Sequence, residues 1–324
     1  MRDPADFLAR AGWAGVAPAP LAVDASFRRY FRLVQGERRA VLMDAPPPQE
    51  DVRPFVALAR HLRGFGYSAP EVLAQDEASG FLLLEDLGDD TYTRVLAAGG
   101  DEAALYAAAV DILIDLHRRP GAAALEGLPA YDDAFLTAEA MLFAEWYLPA
   151  VGRAAAPADL LAEALAAVLP LARAVPASLT LRDYHVDNLM HLPQRRGLAA
   201  VGLLDFQGAM AGPVAYDLAS LVEDARRDIG DGLRAAMIAR YRAAFPGLGG
   251  DLDAAIAFLG AQRHLKVIGL FTRLWRRDGK PAYLGHIPRV WRLLERSLAH
   301  PALAPLAAAV DALCPPGTRK VPSP

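Results

Sequence analysis

The first part of the chain places apolar residues in short runs between turn signals, whereas the remainder repeats them at helical spacing. Residues 3–11 read as a short helix. β-structure follows over residues 21–45: a segment ending near Val23, a turn at Asp24-Ala25-Ser26, a strand over 27–33, a turn at Gly36-Glu37-Arg38 and a strand over 40–43. Pro46, Pro47 and Pro48 end that strand, because proline has no N–H to give to a ladder. Val52, Phe55, Val56, Leu58 and Leu62 form the stripe of a helix over 51–62, and residues 71–74 and 81–84 read as two further strands. The polar segment 85–90 closes a part with about five strands and one packed helix. Beyond it the period predicts helices near 101–118, 132–148, 156–172, 214–226, 230–244, 251–277 and 288–299. One β-rich interruption, around 178–205, breaks the series and gathers the polar residues. The Ala/Pro-rich tail, 301–324, reads as partly loose.

Composition sharpens this picture in three ways. Apolar residues make up 54% of the 324, but much of that is alanine, which favours helix while adding little core volume. The length suits one large domain or two lobes. The formal net charge of −4 gives no electrostatic reason to expect nucleic acid as a partner. Lys266, Lys280 and Lys320 are the only lysines, so nearly every basic side chain is arginine. Cys314 is the single cysteine, which excludes an internal disulfide and a cysteine-built metal site. The N-terminal residues Arg2, Asp3, Asp6 and Arg10 interrupt any signal-peptide pattern, and no uncharged run approaches the ~18 residues of a membrane span. The expectation is a cytoplasmic protein with no membrane contact.

Candidate chemistry concentrates in the interruption. In Leu181-Arg182-Asp183-Tyr184-His185-Val186-Asp187-Asn188-Leu189-Met190, a polar turn joins two short apolar strands, an arrangement that lets side chains converge on a ligand. Asp183 and Asn188 stand five apart, the spacing of a kinase catalytic loop, where the Asp positions the acceptor hydroxyl and the Asn holds Mg²⁺. Seventeen residues further on, Val201-Gly202-Leu203-Leu204 ends on Asp205, followed by Phe206, Gln207 and Gly208, a loose match to the metal-binding Asp-Phe-Gly element. Mg²⁺ needs only one or two protein oxygens besides phosphate, and Asn188 with Asp205 meets that demand.

These segments resemble the aminoglycoside phosphotransferase family. Asp183, His185 and Asn188 fall on the Asp, His and Asn of the family loop His-Gly-Asp-Leu-His-Pro-Gly-Asn. The block Leu204–Ala209, then Gly212-Pro213 and Tyr216-Asp217-Leu218-Ala219, is similar to its Ile-Asp-Trp-Glu…Gly-x-Pro…Asp-Leu-Ala. The resemblance covers about residues 20–300. It implies an α+β, two-lobed protein-kinase-like fold, with a small N-terminal antiparallel sheet lobe (1–86) and a larger helical lobe (87–324). It also implies ATP at the hinge and an alcohol as phosphoryl acceptor. Asp24–Arg32, Met43–Pro47, Leu84–Asp89 and Tyr184–Asn188 resemble most the anomeric amino-sugar kinases of peptidoglycan recycling. That likeness implies the C1 hydroxyl of N-acetylmuramate and N-acetylglucosamine as the acceptor. A kinase of another small alcohol (choline, homoserine or an aminoglycoside) would share the same residues, and a nucleotide-binding pseudokinase is the non-catalytic alternative.

Four positions depart from the family. Leu181 stands where the loop usually has His, Gln207 follows the metal Asp in place of Glu, and the phosphate loop Asp24-Ala25-Ser26-Phe27 has no glycine. Met43 occupies the place of the strand lysine that meets the α- and β-phosphates. A thioether cannot neutralise phosphate. Strand alternation puts Arg28, Tyr30 and Arg32 on one face and Arg29 on the other, so Arg28 or Arg32 is expected to supply the missing cation. Ser26 and Phe27 would meet the phosphates, and the backbone of Glu85, Asp86 and Leu87 would meet adenine. His185, Asp187, Glu139 and Trp146 are the candidate sugar contacts, and Asp217 is expected to brace the catalytic loop.

Overall fold

The computed structural model describes residues 2–23, 27–154 and 156–323, with the main chain alone at Ala22 and Val23. The turn expected at Asp24-Ala25-Ser26, and Ser26 with it, lies outside the described residues. In chain order the first elements are α1 (Ala5–Arg10), β1 (Ala19–Val23), β2 (Arg29–Gln35), β3 (Arg38–Asp44), α2 (Arg53–Gly64), β4 (Val72–Asp76), β5 (Phe81–Glu85), α3 (Tyr92–Ala97) and α4 (Glu102–Arg118). Then come α5 (Asp133–Leu142), a π-helical turn (Phe143–Tyr147), α6 (Leu148–Ala150), α7 (Ala158–Val168), α8 (Pro170–Arg173), β6 (Ala177–Thr180), β7 (Leu189–His191), β8 (Val201–Leu203) and β9 (Met210–Pro213). The chain ends with α9 (Ala215–Val222), α10 (Asp231–Ala244), α11 (Asp251–Asp278), α12 (Ile287–Leu298) and α13 (Ala304–Leu313). No described helix is long and apolar enough to cross a membrane.

Packing divides the chain into two compact units: Met1–Ile112 with Val186–Ala209, and Leu113–His185 with Met210–Pro324. The first unit is built on an antiparallel sheet in the order β1-β2-β3-β5-β4. Alternation sorts its side chains by face. Phe31, Leu33, Ala40, Leu42, Phe81 and Leu83 form one face and are buried against Phe7, Leu8 and Trp13. Tyr30, Arg32, Val41 and Leu84 belong to the other face.

The segment Val186–Ala209 folds as a hairpin, β7 with β8. It is bonded into the first unit at both edges. Gly202 bridges Ser68 and Met190 bridges Thr91; Leu203 N donates to Ser68 O at 3.0 Å and His191 N to Asp90 O at 2.8 Å. Only glycine fits at 202, because a Cβ there would stand 2.7 Å from Met190 Cβ and 3.2 Å from Leu87 Cδ1.

The second unit surrounds α11, which is buried on nearly every side, from Leu252 to Leu274. A Cβ at Gly269 would lie 2.2 Å from the carbonyl carbon of Leu142, so glycine lets α11 touch the backbone at the point where α5 widens into its π turn. The helices expected at 132–148 and 156–172 are each subdivided here, at that turn and at Pro170. The one expected at 214–226 ends at Val222, because Glu223 leaves helical geometry and Asp224 Oδ1 accepts from Arg226 N at 2.8 Å. The tail is a correction. Instead of being loose it forms α13, which buries Leu306, Val310 and Leu313. Tyr147 OH then donates to Lys320 O at 2.8 Å and accepts from Trp291 Nε1 at 3.1 Å.

Candidate active site

A cavity of about 350 Å³ lies within the first unit, on the sheet face carrying Tyr30, Arg32, Val41 and Leu84. Phe55 of α2 closes one side and packs on Phe206, with ring centroids 5.0 Å apart. Met190, Leu204 and Phe206 come from the hairpin, and residues 85–89 form the rim. A mostly apolar slot with a polar rim suits a flat heteroaromatic base. The side chains of Glu85 and Asp86 are already engaged. Glu85 pairs with Arg195 and, at 3.2 Å, with Arg63, whereas Asp86 accepts from Arg32 at 2.7 and 3.0 Å. Leu87 lines the cavity beside them.

The two candidate phosphate arginines occupy different surroundings. Arg32 is clamped by Asp86 and, through two bonds of 2.9 Å, by Asp89. Arg28 lies between Glu50 and the metal-candidate Asp205, with Nε 3.8 Å from Glu50 Oε2 and Nη2 3.9 Å from Asp205 Oδ1, and its side chain is 14% exposed. Glu50 also accepts from Phe27 N at 3.2 Å, while the Phe27 ring is exposed. Met43 is fully buried in the sheet, opposite Tyr30 and Leu82.

Asn188 and Asp205 meet at the open end of the hairpin, where Leu204 N donates to Asn188 O at 2.9 Å. Gln207 Nε2 donates to Asp205 Oδ1. Its own Oε1 is buried and has no partner. A carboxylate, an amide oxygen and an orphaned buried oxygen together suit a hard cation that keeps water and phosphate among its ligands. Among the described residues no cluster of three or more His, Cys, Asp and Glu side chains is arranged to hold a metal. Asp187, next to Asn188, accepts from Thr93 Oγ1 at the start of α3.

Arg182 (φ 71°) and Asp205 (φ 54°) are the non-glycine residues with left-handed backbone among the described residues. Aspartate tolerates that region; arginine in it costs on the order of 1–2 kcal/mol. In the second unit, Arg182 is held there by Asp217, whose carboxylate accepts from Leu181 N at 2.6 Å and Arg182 N at 2.8 Å. Burial pushes the Asp217 carboxyl up to about 7, against the pull of those two N–H groups and of Arg263. Arg263 Nη1 in turn donates to Arg182 O at 3.0 Å. The bend presents Asp183, whose side chain remains 44% exposed.

Desolvation works against ionising Asp183, but Lys266, Arg263 and Arg182 outweigh it and hold the carboxyl down at about 2. Arg263 Nη1 lies 3.7 Å from Asp183 Oδ1. Glu139 accepts from Lys266 Nζ at 2.8 Å, from Arg182 Nη2 and from Tyr131 OH at 2.5 Å, so it organises the cations around Asp183. His185 is buried and kept neutral, first by desolvation and then by Arg226, whose Nη1 is 3.3 Å from its Nε2. Trp146 sits on the π turn, where its Nε1 is buried without a partner. The sequence reading missed Arg182, Arg263 and Lys266. The signal was present: two cations three residues apart on an otherwise apolar, buried helix.

The sheet unit with its cavity, the hairpin corner of Asn188 and Asp205, and the bent Asp loop are the features of a small-molecule kinase fold. Similar folds occur in a choline/ethanolamine kinase family protein from Mesorhizobium loti, with a TM-score of 0.62, 15% identity and 94% and 97% of the two chains covered. The GDP complex of aminoglycoside 2'-phosphotransferase-IIIa matches with a TM-score of 0.63, 15% identity and 90% and 96% covered. A profile of the phosphotransferase enzyme family matches residues 18–253, and the chain belongs to that family. A nucleotide is therefore its phosphoryl donor. It is 40% identical to the N-acetylmuramate/N-acetylglucosamine kinase of Caulobacter vibrioides over 98% of this chain and 97% of the other. With the protein of the same name from Pseudomonas aeruginosa it shares 43% identity, over 91% and 89%.

Proposed function

We propose that the protein transfers the γ-phosphoryl group of ATP to the anomeric hydroxyl of N-acetylmuramate and N-acetylglucosamine, serving the reuse of cell-wall sugars in the cytoplasm. The observation that carries this reading is Asp183, an exposed, ionised carboxylate on a bent loop and ringed by cations. It orients the acceptor hydroxyl and takes its proton late, since phosphoryl transfer depends mainly on positioning and charge stabilisation. A strongly basic group is unnecessary, because the ring oxygen makes an anomeric hydroxyl more acidic than an ordinary alcohol. Arg182, Arg263 and Lys266 would repel cationic acceptors such as choline or an aminoglycoside.

In this reading Asn188, Asp205 and Gln207 would hold Mg²⁺, which when bound would neutralise charge on the phosphates. Arg28 supplies the cation that Met43 cannot, with Glu50 as its counter-ion, while Arg32 is committed to the rim. The main chain at Asp86–Leu87 meets adenine. The test is ADP release from MgATP with N-acetylmuramate, N-acetylglucosamine, glucose, choline and kanamycin. ADP should form with the two N-acetylated sugars alone and yield an acid-labile sugar 1-phosphate. Turnover of choline or kanamycin instead would remove the sugar assignment. Asp183→Asn should lower kcat by about 10²–10⁴-fold with the fold intact; near-normal turnover would refute the role given to Asp183.

A further inference from the structure

A second, smaller cavity of about 50 Å³ lies in the helical unit where the segment after α9 meets α12. Arg227, Arg289, Arg292 and Arg296 line it together with Asp224 and Asp228. Two of its charges are matched outside this group: Glu223 by Arg234, and Arg296 by Asp231 at 2.9 Å. On α12, Arg289 and Arg292 share the single carboxylate of Asp228, two guanidiniums to one negative charge. Asp228 lies across the two guanidiniums of α12, 3.0 Å from Arg289 Nη2 and 3.2 Å from Arg292 Nη2, yet its side chain is 65% exposed. Asp224 is 2% exposed, and its Oδ2 is buried without a donor. Arg226 is the link to the loop of Asp183: its carbonyl accepts from Arg289 Nη1 at 3.0 Å, and its own Nη1 lies 3.3 Å from Nε2 of His185, two residues past Asp183.

We infer that this cavity is the subsite for the carboxylate of the lactyl ether that distinguishes N-acetylmuramate from N-acetylglucosamine. The inference rests on the sugar-kinase reading above. Asp228 is a stand-in for the ligand: a solvent-exposed carboxylate in the Arg289–Arg292 clamp is displaced at little cost, and the substrate carboxylate takes its place. The orphaned Asp224 oxygen accepts a hydroxyl of the bound sugar. The neutral sugar forgoes the clamp and is held by the rest of the site, so one fold serves both an anionic and a neutral acceptor.

The experiment compares calorimetric binding of N-acetylmuramate, its methyl ester and N-acetylglucosamine, alongside ADP release with the two natural sugars. The wild type should bind the acid about 10- to 100-fold tighter than the ester. Arg292→Ala, at a side chain 62% exposed, should erase that difference and change kcat/KM for N-acetylglucosamine by less than about threefold. Asp228→Asn should tighten N-acetylmuramate alone. Arg292→Glu provides a second variant, and melting curves monitor the fold of each. Equal binding of acid and ester by the wild type, or equal losses for both sugars in Arg292→Ala, would overturn the proposal. A wild type that prefers the acid but phosphorylates neither sugar would discard the kinase reading and leave the carboxylate subsite standing.

Discussion

Replacing Asp217 by alanine tests whether the catalytic loop is held in place from below. In the native protein this fully buried carboxylate accepts from two consecutive main-chain N–H groups, at 2.6 and 2.8 Å. Truncation leaves both donors without a partner, at roughly 1–3 kcal/mol each. It also frees Arg182, whose N–H Asp217 accepts, from its left-handed conformation. The summed loss, about 2–6 kcal/mol, is a large part of the ~5–15 kcal/mol that stabilises a typical domain. Asp217→Asn keeps the shape and one acceptor oxygen, so its loss should fall near the lower end. Urea denaturation followed by circular dichroism reads the stability. Steady-state kinetics at saturating MgATP reads the effect on Asp183, where a displacement of 1 Å can cost about 100-fold in rate. The ordering wild type, then Asn, then Ala is expected in both assays. An alanine variant with an unchanged midpoint and kcat within twofold of wild type would refute the bracing role.

Arg28→Ala should weaken MgADP binding by about 10- to 100-fold in calorimetry, and Arg28→Lys should restore part of it; unchanged affinity would move the phosphate cation elsewhere. Gly202→Ala should destabilise the first unit by about 1–3 kcal/mol, because the new methyl meets Met190 Cβ at 2.7 Å; a melting temperature equal to wild type would count against the tight hairpin contact. Acid should unfold the helical unit early. Burial lowers His117 to about 3 and His264 to about 4, and His185 is held neutral as well, so the unfolded chain binds more protons below pH ~6.5 and stability falls as pH drops towards 4. Asp217 acts in the opposite sense, since its raised carboxyl favours the fold below pH ~4 and loses that contribution as pH rises through about 7. Three groups against one predict a lower urea midpoint at pH 5 than at pH 7; the reverse order would refute the balance.

The strands and the long helices were legible because each has a strong period and clear stops. α2 carries an apolar stripe, α11 is apolar over most of its length, and β2 and β3 turn at Gly36. Asp183, Asn188 and Asp205 could be nominated from the sequence because their spacing survives in one dimension. Three features were not. Short α3 (Tyr92–Ala97) offers too few residues to establish a period. The order of the tail depends on partners far away in sequence, such as Tyr147 and Glu295, which pair with Lys320 and Arg319. The clamp on Arg32 and the cations around Asp183 are side-chain choices between sequence-distant partners, and a charge pattern along the chain does not say which carboxylate an arginine will take.

The assignment of Val186–Ala209 to the first unit has a consequence for the order in which the protein can be made. Synthesis runs from the N-terminus, and the sheet strands leave the ribosome first. Met190, Leu204 and Phe206, which complete the cavity on the sheet, follow more than a hundred residues after β5. During translation the sheet unit therefore waits, with one apolar face uncovered, until the chain has passed residue 209. A stalled or truncated product ending in the first helices would expose that face and recruit chaperones, whereas one extended past the hairpin would hide it.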